Sequence, residues 1–307
     1  MPQEMTIGFV GLGHAGWPMA GLLAKAGFAV VAHDIDSDVE HAFAEENGCT
    51  PAGGIQGLAN VDVVVTMLPN GKVVRQVMFE TDGGLAAHLA PGTVVIDTSS
   101  SDPLGTRELG AELAAHGILL VDAPVTRPEP GNDHLTLMVG GDEAAVDRAM
   151  PVISAMGEHV FRVGPLGAGH AMKTLNNYVS AASISALFDA LIVGNRFGLD
   201  VEQMIDVFNV GTAQNFTSFY MAKEHSLSRR YESLYSLALL VKDLGIAARL
   251  TESVGFESGL PAYVRDQFGA ALADIGGDPD HTAALIYWEH RAGEELPTLD
   301  VPAPAAK

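Results

Sequence analysis

The chain has 307 residues, 48% of them hydrophobic, with 38 acidic against 17 basic side chains and a formal charge of −21. That length and apolar content supply core for about two domains and exclude a disordered chain, and the charge disfavours nucleic acid and anionic membrane as partners. A single cysteine, Cys49, excludes an intrachain disulfide and fits a reducing, cytoplasmic compartment, and the opening "MPQEMTIGFV" lacks the basic and apolar regions of a signal peptide.

In chain order, five short apolar runs alternate with helical patterns: "TIGFV" (6–10), "FAVVAH" (28–33), "DVVVTML" (62–68), "TVVIDTS" (93–99) and "ILLVDAPV" (118–125). Such alternation predicts a doubly wound parallel sheet. Between the first two, Met19, Leu22, Leu23 and Ala26 recur at helical spacing, and Gly27 closes the helix. Two more strands, "LTLMVGG" and "HVFRVG", flank a helix through "DEAAVDRAMPVISAMG"; beyond Gly164 strand signals cease and only helices follow. The predicted domains are 1–165 and 166–307. The run "YVSAASISALFDALIVG" contains Asp189 and several serines, so it reads as a helix buried in protein rather than a membrane span.

The first strand runs into Gly11-Leu12-Gly13-His14-Ala15-Gly16, a G-x-G-x-x-G that opens a helix. Glycine at 13 lets a pyrophosphate reach backbone N–H groups at the helix N-terminus, where the helix dipole favours negative charge. Asp34 follows the second strand, 21 residues after Gly13, where a carboxylate accepts from both ribose hydroxyls. A 2′-phosphate there would meet Asp34 and Asp36 with no arginine nearby, so NAD is favoured over NADP. The fold class is therefore α/β, a Rossmann-type N-terminal domain followed by an all-α C-terminal domain.

In "KTLNN", Lys173 and Asn177 are four apart and share one helix face, whereas Asn176 turns about 100° away. A cation and an amide on one face can address one substrate oxygen. Reversible alcohol oxidation needs a group that takes the hydroxyl proton and returns it, and a lysine does so if desolvation or a neighbouring cation lowers its pKa.

These residues resemble the β-hydroxyacid dehydrogenases, the family that includes 3-hydroxyisobutyrate dehydrogenase and tartronate semialdehyde reductase. The resemblance runs in order through "GFVGLGHAGWPMA", "TMLPN" (66–70), "DTSSSDP" (97–103), "DAPV" with Thr126, "GAGHAMKTLNN" and "KDL" (242–244). It implies that Lys173 is the acid/base, that Asn177 orients the substrate, and that Lys242 lies close to nicotinamide and substrate with Asp243 supporting it. It further implies that Met67, Leu68, Pro69 and Ser100 border the cofactor along with Gly11, Leu12, Gly13, His14, Ala15 and Gly16. A long central helix that builds a homodimer or homotetramer is also implied.

The substrate segment departs from the family pattern. Members commonly continue as Ser-Gly-Gly, whereas this chain reads Thr126-Arg127-Pro128, and proline removes a backbone donor. Arg127 can replace that cradle by gripping a carboxylate, sulfonate or phosphate, or it can pair with Glu129 or Asp133. The substrate expected is thus a small anionic hydroxy acid or aldehyde. The scattered histidines, including His281 and His290 nine apart, predict no metal site. "RRYES" (229–233) reads as a solvated turn, Met138, Met150 and Met156 as core, and Asp280 as an N-terminal cap. An imine reductase is the alternative enzyme, disfavoured by Lys173 with Asn177; a non-catalytic dinucleotide sensor is the alternative binding module.

Overall fold

The computed structural model describes residues 5–126 and 135–301. It divides into two compact units, Met1–Lys173 and Thr174–Lys307. The division falls inside a helix that starts at Ala168, later than the 165/166 boundary expected from the end of the strand signals.

The first unit is built from β1 (Thr6–Val10), α1 (Gly16–Lys25), β2 (Ala29–His33), α2 (Ser37–Asn47), β3 (Thr50–Pro51), β4 (Val63–Thr66), α3 (Gly71–Phe79), β5 (Val94–Asp97), α4 (Pro103–Ala115), β6 (Leu119–Asp122), β7 (Val125–Thr126), β8 (Thr136–Gly140), α5 (Glu143–Met156) and β9 (His159–Gly164). The strands form one sheet in the order β3-β2-β1-β4-β5-β6-β8-β7, with β9 paired to β8. From β3 to β6 every pairing is parallel. Both faces are covered, because alternate residues of one strand feed different cores. Val63, Val65, Val94 and Ile96 pack with Met19, Leu23 and Val152. Val64 and Val95 pack with Val74, Met78 and Leu113. In α1, Met19 and Leu23 are buried, Leu22 is half-buried, and Ala26 is an exposed cap before Gly27 at φ 91°.

Three strand expectations need correction. The run 118–125 is two strands, because Pro124 has no N–H for a ladder; its carbonyl accepts instead from Met138 N at 3.1 Å, and β8 lies antiparallel between β6 and β7. The runs 62–68 and 93–99 stop at Thr66 and Asp97; one backbone bond more follows each, Met67 N to the Val10 carbonyl and Thr98 N to the Thr66 carbonyl, before Leu68 N turns to the Ser99 hydroxyl. The two-residue β3, too short for a periodic signal, was not anticipated.

The second unit carries α6 (Ala168–Phe197) from Thr174 onward, then α7 (Val201–Val210), a π-helical stretch Thr217–Leu227, α8 (Leu237–Ser253), α9 (Leu260–Ile275) and α10 (Leu285–Ala292). Its core joins Phe188, Leu191, Ile205, Leu244, Phe268 and Trp288. Helix starts are capped where polar residues precede apolar runs: Asp200 accepts from Gln203 N, Ser236 from Leu239 N, and Asp280, as expected, from Thr282 N. Among the described residues, α6 is the one helix long and apolar enough to cross a membrane, and half of its apolar window is buried. Its outward stripe stays apolar, with Leu175, Val179, Val193 and Phe197 exposed at 40%, 61%, 67% and 84%.

Arg229, expected in a solvated turn, instead donates two hydrogen bonds to buried Glu289, at 2.8 and 2.6 Å, and one to the Leu296 carbonyl at 2.9 Å. A carboxylate that the fold removes from water requires a bidentate partner, and the only sign of this in the sequence lay 60 residues away. Replacing Arg229 by Met strands that carboxylate. The variant should lose about 3 kcal/mol, a Tm lowered by about 6 °C in a thermal melt. Arg75→Met, which breaks an exposed pair with Glu112, should shift Tm by only about 1 °C.

Candidate active site

The glycine loop lies where the strand order reverses, between β1 and β4. Gly11 has φ 97°, and a Cβ there would collide with the Met67 carbonyl, so the turn after β1 touches the turn after β4. A Cβ on Gly16 would collide with the Gly11 carbonyl, which brings α1 tightly against β1. At Gly13 a Cβ would meet nothing within 4 Å, and its surface is exposed. Glycine at 13 is thus not demanded by protein packing. It leaves open backbone at the N-terminus of α1, as a pyrophosphate requires. His14 and Ala15 are exposed beside it, and Leu12 is buried.

Asp34 stands one residue past β2. Its Oδ2 accepts from Leu12 N at 2.7 Å and its Oδ1 from Asp36 N at 3.0 Å, so the carboxylate is fixed against the glycine loop. The neighbouring Ile35 side chain is fully exposed. Buried Glu40 ties this corner together, accepting from Gly53 N at 2.6 Å and Asp34 N at 3.3 Å and pairing with His33 Nδ1 at 2.9 Å. Between Lys25 and Lys72 the chain has neither lysine nor arginine. An open glycine turn, a helix N-terminus and a held carboxylate fit a dinucleotide.

Beyond β4, Met67 and Leu68 are half-buried and Pro69 is exposed. Leu68 N donates to Ser99 Oγ at 2.9 Å, joining this turn to the loop after β5, where Ser100 is half-buried. Thr126 is half-buried on β7, opposite Thr136. Arg127, together with Glu129 and Asp133, lies outside the described residues.

Lys173 is half-buried in the second turn of α6. Sequence reading missed what holds that helix. Asp122, at the end of β6, is fully buried; its Oδ1 accepts from Gly167 N and its Oδ2 from His170 N, both at 2.8 Å. Asp97, at the end of β5, accepts from Thr66 Oγ1 at 2.9 Å, Ser99 N at 3.0 Å and Ser101 Oγ at 3.0 Å. The available sign was a lone acid ending each of two apolar strands.

In the second unit, Asn177 is buried and its Nδ2 donates to Asp243 Oδ2 at 2.7 Å and to Tyr235 Oη at 3.3 Å. Tyr235 Oη also donates to Asp243 Oδ2 at 2.7 Å. Burial and the adjacent Asp243 charge push the phenol well above its usual pKa, which keeps it a donor. Lys242 Nζ lies 3.3 Å from Asp243 Oδ1. Asp243 therefore fixes both Asn177 and Lys242; Tyr235 was not anticipated.

Two family models match. Residues 6–164 match the NAD binding domain of 6-phosphogluconate dehydrogenase, and residues 167–288 match the model described as NAD-binding of NADP-dependent 3-hydroxyisobutyrate dehydrogenase. The chain is 30% identical over 295 residues to 2-(hydroxymethyl)glutarate dehydrogenase of Eubacterium barkeri, covering 95% of this chain and 98% of that one. It is 32% identical over 287 residues to 3-sulfolactaldehyde reductase of Escherichia coli, covering 91% and 94%. The solved structure of Mycobacterium tuberculosis 3-hydroxyisobutyrate dehydrogenase with L-serine superposes with TM-score 0.83 at 30% identity, covering 93% of this chain and 99% of that one.

Proposed function

The chain belongs to the β-hydroxyacid dehydrogenase family, and from that premise we propose an NAD-dependent oxidoreductase that interconverts a short β-hydroxy acid, or a related hydroxylated anion, with its aldehyde or ketone. Residues 1–165 bind the dinucleotide and residues 166–307 serve substrate and assembly. Gly11, Leu12, Gly13, His14, Ala15 and Gly16 would hold the pyrophosphate and Asp34 the ribose, with Met67, Leu68, Pro69, Ser100 and Lys242 toward the nicotinamide. When bound, the nicotinamide supplies the hydride acceptor or donor.

Lys173 Nζ takes the substrate hydroxyl proton in oxidation and returns it to the carbonyl oxygen in reduction. Its ammonium form also stabilises negative charge growing on that oxygen. Asn177, its amide nitrogen committed to Asp243 and its carbonyl oxygen accepting from Asn176 Nδ2 at 3.3 Å, keeps the second lone pair of that oxygen as an acceptor for a substrate hydroxyl. Thr126, Arg127 and Lys242 hold the substrate's anionic group. The observation that carries this reading is the placing of Lys173 in one compact unit with the open Gly13 turn and the held Asp34. The exposed apolar stripe of α6 supports a homodimer or homotetramer in which a second copy covers it, and the single cysteine supports a cytoplasmic setting.

An NADH absorbance assay tests the reading with 3-hydroxyisobutyrate, L-serine, 2-(hydroxymethyl)glutarate and 3-sulfolactaldehyde, on wild type and on Arg127→Ala. Turnover of at least one compound is expected, with KM raised about tenfold in the variant through loss of a charge-assisted pair. NADH binding with no turnover of any of the four would favour a sensor instead.

A further inference from the structure

His170 is 1% exposed, and the mechanism above gives it no task. Its Nδ1 lies 2.8 Å from Thr106 Oγ1, and that hydroxyl also bonds the Asp102 carbonyl at 3.0 Å. A carbonyl only accepts, so the threonine proton is used there, and Oγ1 can only accept from the ring. Nδ1 therefore carries the hydrogen.

The ring is wedged between two buried carboxylates. Nε2 is 3.7 Å from Asp97 Oδ2 and has no hydrogen-bond partner; Nδ1 is 3.7 Å from Asp122 Oδ2. The two acids hold different parts of the chain. Asp97 fixes Ser99 and Ser101 in the loop after β5, and Asp122 fixes Gly167 and His170 at the start of α6. There is no room for the helix to slide: a Cβ on Gly169 would collide with the Met138 carbonyl and stand 2.8 Å from Asp122 Oδ2. Lys173 follows His170 by three residues, about one turn along the same face.

We propose that His170, clamped between Asp97 and Asp122 and bonded to Thr106, is a positioning residue that locks the first turn of α6 to the 98–102 loop and so fixes where the Lys173 amine stands. The proposal rests on the acid/base reading of Lys173. A misplacement of about 1 Å at a reacting group costs about 10²-fold in rate, so a clamp without contact to substrate still governs turnover.

The test compares wild type, His170→Leu, Lys173→Ala and the double variant. It measures kcat on the best of the four substrates above, NADH Kd by fluorescence, and backbone hydrogen exchange across residues 166–173. His170→Leu should lower kcat by about 10²-fold, leave NADH Kd within about threefold, and speed exchange in that turn. In the Lys173→Ala background it should change kcat by less than about twofold, because the group it positions is already gone. Thr106→Val removes the ring's acceptor at nearly constant volume and should act in the same direction; it carries the test if His170→Leu does not fold.

An equal proportional loss in both backgrounds overturns the proposal, as does wild-type kcat and exchange in His170→Leu. Full turnover by Lys173→Ala removes the acid/base reading instead. Unchanged exchange then overturns the clamp separately.

Discussion

Lys173→Ala is expected to lower kcat by about 10²- to 10⁴-fold while leaving the NADH dissociation constant within about threefold. The two numbers separate because the proposed roles do. The cofactor's phosphates and ribose are assigned to the Gly13 turn and to Asp34, which Leu12 N holds at 2.7 Å, and none of these depends on the lysine. The amine is assigned to the proton alone, so its loss removes an interaction of the transition state and little of the ground state. Steady-state kinetics with parallel fluorescence titration of NADH checks both values. Equal losses in kcat and in NADH affinity would assign the lysine to cofactor binding.

The second large effect concerns the cofactor. Asp34→Arg should move the NADP-to-NAD ratio of kcat/KM by about 10²-fold or more toward NADP, through removal of a ribose acceptor and of like charge against a 2′-phosphate. The C-terminal model that the chain matches is described by an NADP-dependent enzyme, so the preference must be argued from this chain's own residues. Those residues are acidic around Asp34: Asp36 donates its N–H to Asp34 Oδ1, Glu40 lies behind, and neither lysine nor arginine occurs from Ala26 to Gly71. Asp36→Asn, which leaves the ribose acceptor in place, should move the ratio much less. A wild type that already prefers NADPH in a side-by-side assay would contradict the argument from that carboxylate.

The central strands were readable because parallel strands buried on both faces are apolar throughout, and β1 has the bounds its sequence predicts; β9, whose bounds also match, is an exposed edge strand. The glycine turn was readable because two of its glycines answer a local demand, a positive φ at 11 and close packing at 16, while the third leaves the backbone open at 13. What escaped sequence reading was tertiary polar chemistry. Asp97, Asp122 and His170 lie 25 to 73 positions apart, and nothing in their local surroundings marks them as one buried cluster. Arg229 with Glu289 is the same case: a basic triplet in a turn reads as surface until the partner carboxylate is seen to be buried. Pro124 was visible, yet its effect depended on β8 supplying the donor that uses its carbonyl. Asn177 was legible as a polar residue on the lysine's helix face, but its anchoring by Asp243 and Tyr235 was not.

The most direct measurement is amine rescue of Lys173→Ala in the direction of alcohol oxidation. With NAD and substrate saturating, added methylamine should raise turnover at least about tenfold, and the rate should follow the concentration of unprotonated amine as pH is varied. A Lys173→Ala enzyme that turns over at the wild-type rate, with methylamine adding nothing, would contradict the assignment of proton transfer to this lysine.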